Sequence, residues 1–192
     1  MKTKLTIVLS FISLISLSAQ DLTFKNVKID PVLIDTGSYK NYFKYDMGDY
    51  ILYNGRYENN LNFKIQDKVT HNIEYVYKDT ISDAMILKPK FFENADNTIK
   101  VIMIEVAAEY SWGQEIILIK DKTVKYLGYL DYIVDLEEGL SISDYCRLYM
   151  DKEKIIMIFD DVPIIYWPEE SKKINGKDLK FELDVNGINR VK

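Results

Sequence analysis

Carboxylates are the side chains with catalytic or metal-binding chemistry that this sequence supplies in quantity. Residues 131–144, DYIVDLEEGLSISD, contain Asp131, Asp135, Glu137, Glu138 and Asp144. Two carboxyl groups held about 5 to 10 Å apart suffice for glycoside hydrolysis, and several oxygens together suffice to bind calcium. The segment lacks the D-x-D-x-D-G order of a calcium loop, and acids that follow a strand usually form a solvated surface. A small carboxylate-dependent hydrolase is therefore our alternative function, not our first.

Other catalytic arrangements fail because the residues they need are missing. His71 is the only histidine and Cys146 the only cysteine, so zinc-ligand spacings such as H-x-x-x-H or C-x-x-C do not occur. A Ser-His-Asp triad would have to use His71, and the chain has no G-x-S-x-G. The eight glycines are scattered singly and form no phosphate-binding loop. We therefore expect no cofactor and no metal, and we favour a protein without catalytic activity.

Two short aromatic segments are the candidate binding sites. In EYSWG, residues 109–113, the aromatic rings stand between two apolar runs, and we predict that residues 110–113 form the connection between two strands. In IIYWPEE, residues 164–170, two rings come just before a proline that ends a strand. Such rings either cover the end of the core or serve as binding anchors. Our candidate binding residues are Tyr110, Trp112, Tyr166 and Trp167.

The densest aromatic region runs from Tyr39 to Tyr57 and is rich in tyrosine. Tyrosines are common in binding surfaces because they offer contact area at low entropic cost. The same rings also pack well on strands and in the turns between them. We favour the structural use for this region.

The first 20 residues predict export. Lys2 and Lys4 precede an apolar stretch from Leu5 to Leu17, and polar residues begin at Asp21. This order is that of a secretory signal peptide, and the stretch is too short to span about 30 Å of hydrocarbon as a helix. We expect residues 1–20 to be removed and residues 21–192 to be exported, to the periplasm or the medium, without stable membrane insertion. With a single cysteine the exported chain forms no internal disulfide, and we expect Cys146 to be buried.

The charge of the chain limits its partners. The formal charge is −5, and it becomes −7 when residues 1–20 and their two lysines are removed. An acidic chain without a basic run repels the phosphate backbone, so we expect no nucleic acid ligand. Protein and glycan partners stay compatible with this charge.

Strand patterns dominate residues 21–192, which we expect to form one domain. Apolar residues in 99–106, 114–120 and 123–134 occupy both alternating positions, which predicts strands that are covered on both faces. Asp121-Lys122 and Asn186-Gly187 are predicted hairpin turns. After Ser143, as the helix N-cap, only one or two helical turns fit. The predicted fold is a mostly antiparallel β domain, a sandwich or a meander of hairpins, with a short helix as one way to cover a face.

These observations favour an exported, non-catalytic β domain. We expect it to bind a protein or a cell-envelope glycan through its aromatic turns. The tyrosine content and the missing catalytic residues support this hypothesis, and the acid-rich segment supports the hydrolase alternative.

Overall fold

The structure, a computed structural model, describes residues 23–34, 42–57, 60–77, 86–107, 111–134, 141–166, 168 and 172–191. The strands within these ranges are β1 (Lys25–Val27), β2 (Val32–Ile34), β3 (Tyr42–Asp46), β4 (Tyr50–Tyr57), β5 (Asn60–Asp67), β6 (Ile73–Val76), β7 (Ile86–Glu93), β8 (Ile99–Ala107), β9 (Ser111–Lys120), β10 (Thr123–Val134), β11 (Cys146–Asp151), β12 (Lys154–Phe159), β13 (Pro163–Tyr166), β14 (Lys172–Asn175), β15 (Lys180–Asp184) and β16 (Gly187–Val191). Single 3-10 turns occur at Ile142–Tyr145 and Gly176–Asp178.

The strands form three sheets. The central sheet has seven strands in the order β1-β7-β8-β9-β10-β13-β14, a second sheet has five in the order β2-β3-β4-β5-β6, and a third has four in the order β11-β12-β15-β16. Every described pairing is antiparallel. The predicted mostly antiparallel β fold is confirmed.

The central sheet carries a hydrophobic core on each face. Ile116 and Leu118 of β9 pack with residues of the four-stranded sheet, whereas Ile117 and Ile119 pack with residues of the five-stranded sheet. Successive side chains of a strand point to opposite faces, so an uninterrupted apolar run needs a cover on both sides. The predicted burial of both faces is confirmed.

A sheet, and not a helix, covers each face of the central sheet, so the helix that we offered as a possible cover is wrong for the described residues. The segment that was expected to start a helix after Ser143 is a single 3-10 turn that begins after Ser141, and β11 starts at Cys146. The physical reason is that alternating burial from Cys146 to Leu148 suits a strand next to β12.

Both predicted hairpins form, and one of them has the predicted turn residues. Asp121 and Lys122 form a two-residue turn with φ values of 51° and 57°, the positive pair that a tight hairpin needs. The β15–β16 hairpin also forms, but its turn residues are Val185 and Asn186 because Asp184 pairs with Gly187. Our assignment of Asn186-Gly187 to the turn was therefore wrong by one residue.

The first described residues join two of the sheets. Thr23 forms an isolated bridge with Tyr149 of β11, and the Phe24 amide donates to the Leu148 carbonyl at 3.0 Å. From the next residue, Lys25, β1 pairs with β7 of the central sheet. The side chain of Phe24 is buried in the core between these two sheets.

Candidate binding site

Three strands of the central sheet bring predicted binding residues to one end of the molecule. Gly113 near the start of β9 pairs with Asp131, and Tyr132 of β10 pairs with Tyr166 at the end of β13. Because neighbouring strands lie about 4.8 Å apart, the backbones of Trp112 and Tyr166 lie roughly 10 Å from each other. We call the region of Trp112, Tyr129, Asp131, Tyr132 and Tyr166 the aromatic end. Tyr110 and Trp167 lie outside the described residues.

Trp112 lies inside a strand and not in the connection that we predicted for residues 110–113. β9 begins at Ser111, and its pairing with β8 shifts, since Val106 pairs with Gly113 and Ala107 with Ser111. Trp112 is the extra residue of a β-bulge. Bulges occur often at the ends of sheets, where they redirect one side chain of the strand. The small and polar residues that suggested a turn are here the residues of a bulge.

Gly113 lets an aromatic ring lie directly across β9. Its φ is +152°, and a Cβ at this position would lie 2.3 Å from the Leu130 carbonyl oxygen and 2.6 Å from the Tyr129 ring. No larger residue fits there. Tyr129 lies over the glycine with 39% of its surface exposed, so the aromatic end presents a ring to solvent.

A buried carboxylate lies beside Tyr129 on the face that the five-stranded sheet covers. Glu115 accepts hydrogen bonds from the hydroxyls of Tyr77 at 2.7 Å and Tyr126 at 2.5 Å. The Tyr126 ring stacks on Tyr75 at 5.5 Å. These contacts fix the acid and its tyrosines as one unit between the sheets. Hydrogen bonds of this kind offset the cost of burying a polar side chain.

Burial changes the ionisation of the two neighbouring groups on β10. Burial raises the pKa of the Tyr129 hydroxyl, and the charges of Asp131 and Glu115 raise it further. Burial alone raises the pKa of the Asp131 carboxyl. Tyr129 is therefore a neutral donor at ordinary pH, and Asp131 is a carboxylate with incomplete hydration.

The opposite face of the same strands holds a second set of buried polar groups. Glu105 of β8 pairs with Gln114 of β9, and Tyr132 lies on β10, the next strand of the sheet. All three are buried, at 6%, 0% and 0% exposure. No described residue lies within hydrogen-bonding distance of either amide atom of Gln114 or of the Tyr132 hydroxyl. Buried polar groups of native proteins nearly always have partners, so this set is unusual.

Two further groups lie near this second set. Lys90 forms an ion pair with Asp144, and burial together with Lys88 lowers the pKa of the Lys90 ammonium, which Glu105 and Cys146 partly oppose. Burial raises the pKa of the Cys146 thiol, so Cys146 is a buried, unreactive thiol as predicted.

Tyr166 faces the core and not the solvent. It is 9% exposed, its ring meets the edge of Phe181 at 5.9 Å, and the Arg190 guanidinium lies 5.3 Å from its centre. Between the two roles that we considered for this ring, the contacts match a cover over the end of the core. Its backbone still forms one side of the aromatic end.

The remaining candidate residues lie in different places. Of the acids in 131–144, Asp131 belongs to the aromatic end and Asp144 pairs with Lys90, while Asp135, Glu137 and Glu138 lie outside the described residues. Within the described ranges no group of three His, Cys, Asp or Glu side chains is placed to hold a metal ion.

The tyrosine-rich segment serves packing where it is described. Tyr42 and Tyr50 are buried. The ring of Tyr42 stacks on Tyr53 at 6.0 Å, and the Lys64 ammonium lies 4.9 Å from the centre of the Tyr53 ring. These contacts agree with the structural use that we favoured.

A cavity of about 290 Å³ lies at the far end of the core between the central and four-stranded sheets. Aliphatic side chains from both sheets form its floor, and charged side chains from the hairpin turns surround its opening. It is lined by Ile99, Leu118, Lys120, Glu153, Lys154, Ile155, Leu183, Asp184 and Val185. Both charge signs occur at its opening, so its lining does not select one class of ligand.

Sequence reasoning missed Gln114, Glu115 and Tyr129 as members of the site. The signal was present, because Gln114 and Glu115 are two polar residues inside an otherwise apolar strand. A polar pair within a strand that is covered on both faces must place one polar group in each core. The partners of those groups come from distant strands, and the sequence does not show them.

Comparisons with known proteins add no assignment. The chain matches no protein-family model, no curated protein and no solved structure. In the part of the chain that the structure describes, no helix has the length and apolar character needed to cross a bilayer.

Proposed function

We propose that this protein is an exported, non-catalytic β domain that binds a protein or a cell-envelope glycan at its aromatic end. The observation that supports the proposal is the convergence of Trp112, the partly exposed Tyr129 and Asp131 on adjacent strands at one end of the central sheet. Binding residues held by a rigid sheet lose little entropy when a ligand arrives.

The chemistry of this end suits a glycan well. An exposed tyrosine ring offers an apolar face to the C–H side of a sugar, and a carboxylate accepts hydrogen bonds from sugar hydroxyls. Tyr129 and Asp131 lie on one face of β10, two residues apart, so one ligand can contact both. A protein partner would use the same ring as an anchor.

The proposal is tested by comparing ligand binding by residues 21–192 with binding by variants that are changed at the aromatic end. The purified protein is applied to an array of envelope glycans and, in parallel, to immobilised envelope extract. We expect retention by the wild type and a loss of at least about tenfold in affinity for Tyr129→Ala, because aromatic anchors carry much of the binding energy. Asp131→Asn is expected to weaken the binding of a glycan more than the binding of a protein partner.

Val185→Ala is the matched control, because Val185 is 50% exposed and lies in the β15–β16 turn beside the cavity at the far end. It should bind as the wild type does. Equal binding by the wild type and Tyr129→Ala would refute the assignment to the aromatic end. No retention on either support would refute the binding function.

One observation favours the alternative, a small carboxylate-dependent hydrolase. Glu115 pairs with Tyr129, and Asp131 is two residues further on β10, so both carboxyl groups occupy one face of neighbouring strands. Residues at such diagonal positions are about 7–8 Å apart, so their side chains can reach the carboxyl separations used by glycosidases. Burial raises the pKa of Asp131, whereas two tyrosine hydroxyls hold Glu115. Different environments for two carboxyl groups are typical of an acid and its partner.

The hydrolase is tested by release of reducing ends from envelope glycans. Turnover by the wild type that is lost in both Glu115→Gln and Asp131→Asn would establish it. Turnover that survives both changes would exclude this pair and move attention to Asp135, Glu137 and Glu138. Absence of turnover in the wild type would exclude the hydrolase.

A further inference from the structure

We propose that the free edge of β6 adds a strand from a partner protein, and that this partner segment is extended and basic. The site is separate from the aromatic end. It would be formed by the outer edge of the five-stranded sheet and by the acidic side chains around it.

Among the described residues, the outer edge of β6 has no pairing strand and is apolar. In this part of the chain β6 is the last strand of its sheet and pairs with β5 alone. Ile73 and Val76 are 45% and 40% exposed, and Val69 in the preceding turn is 82% exposed. An edge strand presents unpaired backbone donors and acceptors, and exposed aliphatic side chains beside them favour the addition of another strand.

Three other sheet edges of the described chain are protected. The edge strand β14 carries the exposed Lys172 and Lys173, and lysine on an edge discourages strand addition. The β1 edge carries the exposed Lys25, and the β11 edge is occupied at Tyr149 by its bridge to Thr23. The β6 edge has neither protection.

Negative charge surrounds the β6 edge. Asp49, Asp67 and Glu74 all lie near Tyr50, where their charges add to burial in raising the pKa of its hydroxyl. Of the nearby cations, Lys68 is already paired with Asp46 at 2.8 Å, and Lys64, which pairs in register with Val76, lies 4.9 Å from the centre of the Tyr53 ring. A partner strand therefore gains from basic side chains, and an acidic strand is repelled.

The β2 edge gives a matched control within the same sheet. Val32 and Leu33 are 62% and 59% exposed, so this edge is also apolar. The one acid described beside it, Asp30, is paired with Lys28 at 3.4 Å. The β2 edge thus shares the apolar character of β6 without its surplus of acids.

The experiment measures fluorescence anisotropy of two labelled hexapeptides with the folded protein, residues 21–192. One peptide alternates Lys and Val, and the other alternates Glu and Val. We expect the Lys-Val peptide to bind at least about tenfold more tightly, with an affinity that falls as salt is added. Amide exchange at Glu74 and Val76 should slow when it binds.

Variants locate the site. Val76→Lys places a lysine on the edge and should abolish binding, while Val32→Lys should leave it unchanged. Glu74→Gln, an isosteric change at an exposed residue, should weaken binding of the Lys-Val peptide several-fold. It is the variant to use if Val76→Lys fails to fold. Circular dichroism checks each variant.

Four outcomes would overturn the inference. These are no binding of the Lys-Val peptide, equal binding of both peptides, equal loss in Val32→Lys and Val76→Lys, and a dimer of the free protein that Val76→Lys dissociates. The last result would identify a second copy as the occupant. None of these results depends on glycan binding at the aromatic end, so the two proposals fail separately.

Discussion

Gln114 and Glu115 are consecutive residues of one strand, yet their buried side chains have opposite surroundings. Glu115 enters the core beneath the five-stranded sheet, where two tyrosine hydroxyls donate to it. Gln114 enters the core beneath the four-stranded sheet, where no described residue provides a partner for its amide. The amino-acid types alone would suggest similar costs of burial. The sheets that cover them decide the difference.

This comparison separates two uses of a buried polar group. A group with complete hydrogen bonding stabilises one arrangement of the strands, and its removal leaves its partners unsatisfied. A group without partners costs free energy in the folded state, and its removal costs little. Stability measurements can therefore distinguish the two faces of β9.

The largest loss of stability is expected for a substitution of Gly113, the residue that precedes Gln114 on β9. Gly113→Ala would place a Cβ against the Leu130 carbonyl and the Tyr129 ring, so Tyr129 must leave its position over β9. We expect a loss of about 4 kcal/mol in the free energy of unfolding from overpacking and backbone strain together. Gly128→Ala is the control, because its φ is also positive but its nearest contact is 3.7 Å away. If both variants lost the same free energy of unfolding in chemical denaturation, the contact with Tyr129 would not contribute to the effect.

The next largest effect is expected for Glu115→Leu. The change removes the acceptor of the buried Tyr77 hydroxyl and of the partly buried Tyr126 hydroxyl, and the loss of a buried hydrogen-bond partner costs about 1–3 kcal/mol. Leucine regains part of this through apolar burial, so we expect a net loss of about 3 kcal/mol in equilibrium unfolding by urea. Tyr77→Phe should cost less, since one donor to Glu115 remains on Tyr126. A stable Glu115→Leu variant would contradict the structural role of this acid.

The same substitution one residue earlier should behave differently. Gln114→Leu removes an amide without described partners, so we expect a change within about 1 kcal/mol, or a gain. The measurement is the same urea titration. A loss as large as that of Glu115→Leu would mean that Gln114 has an energetic partner, and the proposed contrast between the faces would be wrong.

The smallest effect is expected at Asp131. Burial holds its pKa above the ordinary value of 3.8 in the folded state. A raised folded pKa means that stability falls as pH rises from the unfolded pKa through the folded one. Asp131→Asn removes this loss, so the variant should be slightly more stable than the wild type at neutral pH and equal to it well below pH 3.8. A variant that is less stable at neutral pH would contradict the assigned shift.

Sequence patterns predicted which segments form strands better than they predicted which other elements cover those strands. Alternation and uninterrupted apolar runs are local, and they identified the β8, β9 and β10 segments and their burial on both faces. The cover on those faces comes from two other sheets, formed by β2–β6 and by β11, β12, β15 and β16. No local pattern distinguishes a covering sheet from a covering helix, and so the helix alternative was wrong.

The candidate site was predicted in part for the same reason. Trp112 was predicted to lie in a connection and Tyr166 at a strand end, and only the register of β9, β10 and β13 places them at one end. The bulge at Trp112 was missed because serine and glycine serve both turns and bulges. Tyr129 was missed because its role depends on the glycine opposite it.

The bridge between Thr23 and Tyr149 has a consequence for how the chain matures. A contact between residues that far apart in sequence cannot form until the later one has emerged, and closing so long a loop is slow. A chain threaded through an export channel from its N-terminus would therefore wait for β11 before its first residues could dock. The export proposed above therefore predicts that the chain passes through that channel unfolded and completes its three sheets only on the far side.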